Sequence, residues 1–431
     1  MAKAPRLLAR PFARYILPVM TESLPKTALQ GVRVLDLSRV LAGPWASQIL
    51  ADLGAEVVKI ERPVAGDDTR HWGPPFLSNN AGEPTDAAYF LAANRNKRSV
   101  AIDIAKPEGA ALIAKLAARS DILLENFKVG GLKKYGLDYQ ALSAINPRLV
   151  YCSITGFGQT GPYATRPGYD YMIQAMGGLM SITGQPEGAP GGEPMKVGVA
   201  VADLFAGMYA STAILAALRH AERTGEGQHI DVALFDCQIA MLANQAANYL
   251  VSGEAPRRLG NAHPNIAPYQ VFETGDGHIV VAVGNDGQFV SFAAAIGDGG
   301  LAAEARFQTN RARVANREAL IARIAPAMKR KTNAEWLAAL EAAGVPAGPI
   351  NAVDAVFADP QAKARQMTIT PPRDDAQGLG YVPHPVKYSK TPARADLAPP
   401  KLGAHTTDVL SSDLALGEEE IAALKKSGVI G

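Results

Sequence analysis

Short apolar runs alternate with amphipathic stretches along the first half of the chain. Runs of the strand type lie at residues 32–38, 56–61, 99–104, 122–126 and 149–155, and helical patterns lie at 45–53 and 108–118. Strands that alternate with helices of this length are typical of right-handed βαβ units. The pattern therefore predicts an α/β fold with a mainly parallel, doubly wound sheet.

The second half of the chain has a different pattern of apolar and polar residues. An apolar helix is predicted from Leu204 to about Leu218, followed by a strand at 229–233 and a second apolar helix that ends near Val251. A Pro- and Asn-rich stretch at 261–268 precedes a smaller unit, with a strand at 278–284 and helices at 317–329 and 333–343. Residues 344–349 have the composition of a stiff linker, and the prolines of 371–400 predict a tail that lies extended over a surface.

These patterns predict five segments. They are an N-terminal extension at 1–26, a large domain at 27–225, a linker helix and loop at 226–268, a small α/β domain at 269–343, and a return linker with a C-terminal segment packed on the large domain at 344–431.

Composition excludes several classes of protein. Hydrophobic residues make up 48% of the chain, and 43 basic against 41 acidic residues give a net charge of +2, so no basic field points to nucleic acid. No apolar run reaches the roughly 18 to 20 residues that a membrane span needs. Cys152 and Cys237 both lie in apolar segments, which predicts buried thiols in a reducing compartment. We therefore expect a cytoplasmic protein without nucleic-acid or membrane partners.

The first twenty residues permit a second interpretation of the location. Lys3, Arg6, Arg10 and Arg14 precede the first acid, Glu22, which resembles the charge balance of a mitochondrial presequence. The same stretch has no serine, and its prolines would interrupt an amphipathic helix. We favour a disordered or spurious extension, with the mitochondrial matrix as the alternative location if the stretch is a presequence.

Common catalytic and cofactor motifs do not fit the chain. Residues 156–161 match G-x-G-x-x-G, but Pro162 follows, so no helix opens on the third glycine as a dinucleotide site requires. The seven histidines show no metal-binding spacing, and no serine has a glycine two residues before it. We therefore predict no metal site and turn to carboxylates as the reactive groups.

Asp203 is the carboxylate with the most informative position. It follows the run 196–202, which is apolar after Lys196, and directly precedes the helix predicted from Leu204. Asp is a favoured N-cap residue, so a structural role is one interpretation. The other is a nucleophile, because an ionised carboxylate in a dry site at a helix N-terminus can form covalent intermediates.

Basic residues near strand ends suggest a ligand with several phosphates. Arg62 directly follows the second strand, and the others are Lys97, Arg98, Lys128, Lys133 and Lys134. Ligands of doubly wound sheets bind beyond the carboxyl ends of the strands, and guanidinium groups pair with phosphate. Any one of these lysines is alternatively a solvated surface charge, and Arg62 is the strongest candidate.

Four segments carry a resemblance to a known family. They are RVLAGPWASQILADLGAEVVKIERPVAGDDTRHWGPP at 39–75, NRNKRS at 94–99, YCSITGFGQTGP at 151–162 and LGAHT at 402–406. With them the chain, from about residue 27 to 431, resembles the class III (formyl-CoA-transferase-like) CoA-transferases. The resemblance implies a large Rossmann-like domain, a smaller domain, two linkers and a homodimer of interlocked rings. It also implies CoA thioesters as substrates, with no permanently bound cofactor.

The resemblance assigns roles to individual residues. It implies that Asp203, at the end of the segment that begins at Gly198, is the nucleophile, and that Tyr169 and Asp170 border the reacting thioester. The implied CoA contacts are Leu41, Ala42, Arg62 beside the adenine, Ile102, Asn126, Phe127, Lys128 and Lys134. The glycine-rich lid of formyl-CoA transferases is replaced by residues 261–264, which argues against oxalate-type acceptors.

The resulting hypothesis is CoA transfer between two carboxylic acids through an aspartyl anhydride and an aspartyl-CoA thioester. The resemblance is greatest to members that use succinyl-CoA and glutarate or hydroxymethylglutarate; malate, itaconate and citramalate are alternative acceptors. A cation such as Arg70, Arg95 or Arg98 is expected to bind the acceptor's distal carboxylate. The alternative for each of these arginines is a surface position or a contact with a CoA phosphate.

Two other functions stay open. An α-methylacyl-CoA racemase of the same fold would need a histidine where this chain has Tyr169, and tyrosine is a poor base at neutral pH. A non-catalytic CoA-binding protein would have no use for an acid at position 203.

Overall fold

Six parallel strands form the centre of the larger of two structural units. The computed structural model describes residues 26–79, 81–373, 378–394 and 396–431. The predicted N-terminal extension therefore lies, apart from Lys26, outside the described residues. The strands, in chain order, are β1 Arg33–Asp36, β2 Glu56–Glu61, β3 Phe76–Ser78, β4 Pro84–Ala87, β5 Lys97–Ala101, β6 Ile122–Glu125, β7 Val150–Thr155, β8 His229–Ala233, β9 Tyr269–Glu273, β10 His278–Ala282 and β11 Ala347–Pro349.

Helices connect most of these strands. Those of the first 252 residues are α1 Ala42–Asp52, α2 Ala88–Ala92, α3 Pro107–Ala117, α4 Tyr139–Ile145, α5 Asp170–Met176, α6 Leu179–Ile182, α7 Val201–Thr224, α8 Leu234–Met241 and α9 Ala243–Ser252. The later ones are α10 Asp286–Ala295, α11 Asn310–Ala315, α12 Arg317–Met328, α13 Asn333–Ala342, α14 Val353–Ala358, α15 Pro360–Ala364, α16 Thr406–Leu414 and α17 Glu418–Lys426. Short 3₁₀ helices lie at Asp68–His71, Lys133–Tyr135 and Gly299–Ala303.

The strand order of the large sheet reverses next to its first strand. The order is β5-β2-β1-β6-β7-β8, and every neighbouring pair is parallel. This confirms the predicted α/β fold with a parallel sheet. Chain connections leave β1 toward one side and β6 toward the other, so the crevice where such sheets bind ligands lies beyond the ends of these two strands.

Alternate residues of the strands build two separate cores. Val34 and Cys152 face a layer that contains α1, α7 and α8. Leu35 and Tyr151 face the opposite layer, which contains α3 and the C-terminal helices α16 and α17. This alternation follows from the two-residue period of a strand with both faces buried.

The smaller unit has its own core. Strands β9, β10 and β11 form an antiparallel sheet, and Phe289, Phe292 and Trp336 are among the buried side chains between this sheet and helices α10 to α13. The third strand, β11, lies in the 344–349 segment that the sequence pattern assigns to a linker. The small sheet therefore extends past the predicted boundary at residue 343.

The boundary predicted at residue 225 also differs from the structure. Strand β8 lies in the segment assigned to the linker, but it pairs with β7 from Tyr151–His229 to Thr155–Ala233 and completes the large sheet. The second apolar helix is divided into α8 and α9, because Ala243 adopts a positive φ of 44° at the junction.

Helix α7 begins three residues earlier than predicted. At 24 residues it has the length and apolar character of a membrane span, by composition alone. Its side chains Ala206, Ala210 and Ile214 are buried in the core with α1 and the sheet. This packing is that of a core helix.

Candidate active site

Two adjoining clefts run along the carboxyl edge of the large sheet. The Asp203 cleft, of about 910 Å³ with its open mouth, is lined by residues after β1, β6 and β7 and by Asp203 itself. The Arg62 cleft is lined by residues after β1, β2 and β5. Arg39 and Phe127 line both, and the Arg39 guanidinium carbon lies 5.6 Å from the centroid of the Phe127 ring. The two clefts therefore meet at the point where the strand order reverses.

The structure brings most of the predicted CoA contacts to this pair of clefts. The Asp203 cleft contains Leu41, Ala42, Asn126, Phe127, Lys128 and Tyr169, and the Arg62 cleft contains Arg62, Ile102 and Phe127. Lys134 does not line either cleft, but its Nζ lies 4.7 Å from the ring centroid of Tyr135, which lines the Arg62 cleft. These side chains come from sequence positions 41 to 169.

The turn after β1 is fixed from both sides. The Asn126 side chain accepts a hydrogen bond from the Arg39 backbone N–H at 2.9 Å and donates one to the Arg39 carbonyl at 2.6 Å. The Val40 N–H points to Asp67 Oδ1 at 3.3 Å, and Val40 adopts a φ of 71°. A β-branched residue in this region is strained and persists only where its surroundings impose it. The strain lies beside Leu41 and Ala42, in the wall of the Asp203 cleft.

Asp203 lies in the first turn of α7, so it is not the residue that caps the helix. The helix begins at Val201, and Ala200 is its N-cap residue. One turn after Asp203, Gly207 packs against the start of α1, where an added Cβ would lie 2.8 Å from the Ala42 carbonyl oxygen. This close approach places the half-buried Asp203 next to Leu41 and Ala42.

Asp170 holds the backbone that carries Asp203. Its Oδ1 accepts hydrogen bonds from the N–H groups of Ala202 at 2.8 Å and Asp203 at 3.3 Å. Its Oδ2 accepts one from Gln174 Nε2 at 2.6 Å, and Gln174 Oε1 accepts one from the Val197 N–H at 2.9 Å. The predicted neighbour of the thioester therefore uses its carboxylate to cap α7.

Burial and the neighbouring Asp170 carboxylate raise the pKa of Asp203 to about 7. A helix N-terminus favours the ionised form of an acid, but here desolvation and like charge outweigh that effect. The nucleophile interpretation takes Asp203 to be ionised, and the raised pKa makes the protonated form a competitor near neutral pH. Once it is ionised, a carboxylate with a raised pKa is a stronger base and nucleophile.

The charge of Asp203 acts on Tyr89, a residue that the sequence did not indicate. Burial raises the pKa of its phenol, and the charges of Asp203 and Asp170 raise it further, so the phenol stays protonated at neutral pH. Its ring makes an edge contact with Trp72, with centroids 5.3 Å apart. Tyr89 lies on α2, a helix of five residues with no motif that reveals a function.

The three arginines expected to bind the distal carboxylate all have carboxylate partners inside the protein. Arg70 pairs with Glu61 and Asp86, Arg95 pairs with Asp52, and Arg98 pairs with Asp413 at 3.2 Å. That expectation was wrong. Arg95 and Arg98 also lie at the amino end of β5, on the edge of the sheet opposite to the clefts.

Lys97 is likewise not a phosphate ligand. Its Nζ is fully buried and donates to the Pro44 carbonyl at 2.9 Å and to Asn94 Oδ1 at 2.8 Å. Burial lowers the pKa of this lysine to about 7. Through its hydrogen bond to the Pro44 carbonyl, the Lys97 side chain stabilises the first turn of α1.

The Asp203 cleft contains three cations, of which sequence reasoning indicated Lys128 and passed over Arg39 and Arg166. Arg39 pairs with Asp68 at 3.1 Å, and its Nε is buried without a hydrogen-bond partner in the part of the chain that the structure describes. Lys128 and Arg166 line the cleft without an ion pair to any described residue, and the Arg166 guanidinium carbon lies 4.1 Å from the ring centroid of Tyr163. These side chains are available to an anionic ligand.

The loop that contains Arg166 packs against the carboxyl end of β7. Gly168 and Gly156 approach so closely that an added Cβ on Gly156 would lie 2.5 Å from the Cα of Gly168. The G-x-G-x-x-G match at 156–161 thus includes a glycine that makes a close backbone contact.

Among the described residues, no group of three or more His, Cys, Asp or Glu side chains is placed to hold a metal ion.

Comparison with known proteins matches this geometry to one family. The sequence model of CoA-transferase family III matches residues 29–406. The chain belongs to CoA-transferase family III. As a member of this family it is a CoA-transferase that acts on CoA thioesters and carboxylic acids.

Individual members are similar over nearly their whole length. A succinate–glutarate CoA-transferase of Agrobacterium fabrum is 53% identical over 386 residues, which cover 90% of this chain and 96% of that protein. The succinyl-CoA:glutarate CoA-transferase of Homo sapiens is 44% identical over 403 residues, covering 93% and 90%. The crystal structure of a CAIB/BAIF family protein from Brucella suis is 54% identical, with a TM-score of 0.79, and covers 89% of this chain and 99% of that one.

Proposed function

We propose that this CoA-transferase moves CoA from succinyl-CoA to glutarate, or to its 3-hydroxy-3-methyl derivative, with Asp203 as the nucleophile. The Asp203 carboxylate attacks the thioester carbonyl, the C–S bond breaks, and a succinyl-aspartyl anhydride and CoA thiolate form. The thiolate attacks Cγ of Asp203, which releases succinate and leaves an aspartyl-CoA thioester. Glutarate then displaces the thiolate to form a second anhydride, and the thiolate attacks its glutaryl carbonyl to give glutaryl-CoA and free Asp203.

The observation that carries this proposal is the position of Asp203 in a cleft continuous with Arg62 and Ile102. A CoA molecule with its adenosine end in the Arg62 cleft extends along Phe127 toward Asp203. Arg62, Lys128 and Arg39 Nε then offer charged donors to its phosphates. A thioester bond is exchanged for another thioester bond, so the reaction requires no permanently bound cofactor.

Tyr89 supplies a donor for the charge that develops during each attack. Its phenol remains protonated because of burial and the charges of Asp203 and Asp170, so it keeps an O–H group to donate. A fixed O–H donor at the oxygen that becomes negative stabilises the transition state more than the ground state.

The acceptor's second carboxylate requires a cation of its own. Arg70, Arg95 and Arg98 are occupied, whereas Arg166 lines the Asp203 cleft without a carboxylate partner among the described residues. We assign the distal carboxylate to Arg166. Its guanidinium can pair with a carboxylate through two parallel hydrogen bonds.

An anhydride intermediate must be kept from water, and a second copy of the chain is the expected cover. Large apolar side chains are exposed around Asp203: Tyr169 at 65%, Val199 at 57%, Phe205 at 40% and Met208 at 50%. A patch of this kind marks an interface. We propose the ring-like interlocked homodimer of the family, and sedimentation that finds monomers at nanomolar concentration would rule it out.

The racemase alternative has no support in the cleft. Among the described residues that line the two clefts, none is a histidine. A non-catalytic CoA-binding protein would gain nothing from a desolvated acid beside the thioester, since such a group destabilises the folded chain.

A panel of acyl-CoA donors and carboxylic acid acceptors, with the products identified by mass spectrometry, tests the assignment. Succinyl-CoA with glutarate or hydroxymethylglutarate should give the highest kcat/KM, with malate, itaconate and citramalate below them. Exchange of an α-hydrogen for solvent deuterium without CoA transfer would instead identify a racemase.

A further inference from the structure

A buried ion pair lies directly behind the turn between β1 and α1. Lys59 Nζ donates to Asp67 Oδ2 at 2.9 Å, and neither side chain has any exposed surface. Asp67 Oδ1 accepts hydrogen bonds from the Thr69 hydroxyl at 2.8 Å and from the Thr69 N–H at 3.0 Å. A pair in such a dry place has little freedom to move, because displacement of one partner leaves the other charge buried and uncompensated.

Each partner of this pair also contacts the backbone of the turn. Lys59 Nζ donates to the Ser38 carbonyl at 2.9 Å, and the Val40 N–H points to Asp67 Oδ1 at 3.3 Å. Val40 has a φ of 71°, where a β-branched residue is strained and needs contacts from outside the turn to stay. The two contacts lie on either side of Arg39, so the ion pair fixes the turn in its strained form.

The same turn forms part of the wall of the Asp203 cleft. The residues that line this cleft include Val40, Leu41 and Ala42. Ala42 begins α1, and its carbonyl oxygen would lie only 2.8 Å from a Cβ added to Gly207, one turn after Asp203 on α7. A change of φ at Val40 would therefore move Leu41 and Ala42 relative to Asp203.

We propose that Lys59 and Asp67 are positioning residues that hold Val40 in its left-handed conformation and thereby set the wall of the Asp203 cleft against the reacting thioester. The inference rests on the proposed function, because it takes this cleft to be the place where the thioester reacts. Lys59 and Asp67 also lie in the wall of the Arg62 cleft, but their side chains have no exposed surface. They therefore act through the turn and not by contact with the substrate.

Asp67→Asn is the first test. The amide has one acceptor oxygen where the carboxylate has two, so either Lys59 or Val40 loses its acceptor and the turn is released. Misplacement by about 1 Å costs roughly 100-fold in rate at well-ordered sites. We expect kcat to fall by roughly 10- to 100-fold, while KM for succinyl-CoA rises by no more than about threefold, because Arg62 and Lys128 are unchanged.

Substitutions at Val40 show whether the effect passes through the backbone of the turn. Glycine adopts a positive φ without strain, whereas alanine is strained there as valine is. The loss of kcat caused by Asp67→Asn should therefore shrink to about threefold or less in the Val40→Gly protein and keep its full size in the Val40→Ala protein. Each loss is measured against the corresponding variant with Asp67 intact, so the effect of position 40 itself cancels.

Asp52→Asn is the matched control for a general loss of structure. Asp52 is a fully buried carboxylate of the same unit, which accepts hydrogen bonds from Arg95 Nε at 3.0 Å and from Asn96 Nδ2 at 2.7 Å. It lies at the C-terminal end of α1, at the edge of the large sheet opposite to the clefts. The substitution should lower Tm, as Asp67→Asn does, and leave kcat unchanged at temperatures well below both Tm values.

Three results would overturn the inference. They are a wild-type kcat in Asp67→Asn, a kcat loss from Asp67→Asn that is equally large with Val40, Val40→Gly and Val40→Ala, and a kcat loss of the same size in Asp52→Asn. If Asp67→Asn does not fold, the double variant Lys59→Met with Asp67→Asn, which leaves no uncompensated charge, replaces it in the same cycle under the same criteria. A failure of the proposed function is distinguishable, because in that case the wild-type protein forms no acyl intermediate on Asp203.

Discussion

The carboxylate of Asp170 accepts a hydrogen bond from the backbone N–H of Asp203 at 3.3 Å, so the two acids are tied together at the start of α7. The contact fixes the backbone of Asp203 and also raises the pKa of its side chain, since it places one negative charge beside another. Position and reactivity of the proposed nucleophile thus depend on the same neighbour.

The first prediction concerns the pH dependence of the reaction. Because Asp203 must be ionised to attack and its pKa is about 7, kcat/KM should rise with pH up to about 7 and level off above it. Asp170→Asn removes the like charge but keeps an oxygen that accepts the backbone N–H groups. The midpoint of the profile should therefore move to lower pH. An unchanged midpoint would show that the charge of Asp170 does not act on Asp203.

The raised pKa of Asp203 also predicts an effect on stability. Between the unfolded value of 3.8 and the folded value of about 7, the folded state holds a proton that the unfolded state has lost. The free energy of unfolding therefore falls as pH rises through this window, and the loss is complete above it. Asp203→Asn should raise Tm more at pH 8 than at pH 4. An equal gain at both values would contradict the raised pKa.

Arg62 provides a test of the CoA orientation. Its proposed contact is to the adenosine end of CoA, which is the same in the ground state and the transition state. Arg62→Ala should raise KM by roughly 10-fold for every acyl-CoA and leave kcat nearly unchanged. Succinyl-CoA and glutaryl-CoA serve as the paired measurement. An effect on only one of them would place Arg62 near the acyl group instead.

Arg166 and Lys128 should separate the acceptor from the donor. Arg166→Met is expected to raise KM for glutarate by roughly 10-fold or more and to change KM for succinyl-CoA far less, since succinyl-CoA is held mainly by its CoA part. Lys128→Met, in the same cleft, should instead raise KM for succinyl-CoA. Butyrate, which lacks the second carboxylate, should be a poor acceptor for the wild-type enzyme. If Arg166→Met raised the KM of butyrate and glutarate equally, Arg166 would not be the anchor.

The fold was predictable wherever the hydrophobic period was regular. Strands β2 and β8 begin and end at the predicted residues, because each is a short β-branched run bounded by turn or polar residues. The start of α7 was placed too late because the apolar residues Val201 and Ala202 fit both the run before the helix and the first turn of the helix. The boundary at 225 was placed wrongly because the pattern of β8 does not reveal that it pairs with β7, far away in the sequence. The boundary at 343 was placed wrongly because β11 becomes a strand only by pairing with β10.

The site was predictable only where a motif carried it. The family resemblance pointed to Asp203 and to eight of the other residues that line the two clefts. It could not reveal Tyr89, whose relation to Asp203 arises from the packing of a five-residue helix. Nor could it show that Arg70, Arg95 and Arg98 are neutralised, because their partners Asp86, Asp52 and Asp413 lie 16, 43 and 315 residues away in the chain.

Trapping of the intermediate on Asp203 tests the central claim most directly. The enzyme is incubated with succinyl-CoA, quenched with hydroxylamine, digested, and analysed by mass spectrometry, with the Asp203→Asn protein and a sample without succinyl-CoA as controls. We predict a hydroxamate on Asp203 in the wild-type sample alone, and a loss of turnover of roughly 10⁴-fold or more in Asp203→Asn. A hydroxamate on another residue, or wild-type turnover in Asp203→Asn, would contradict the account.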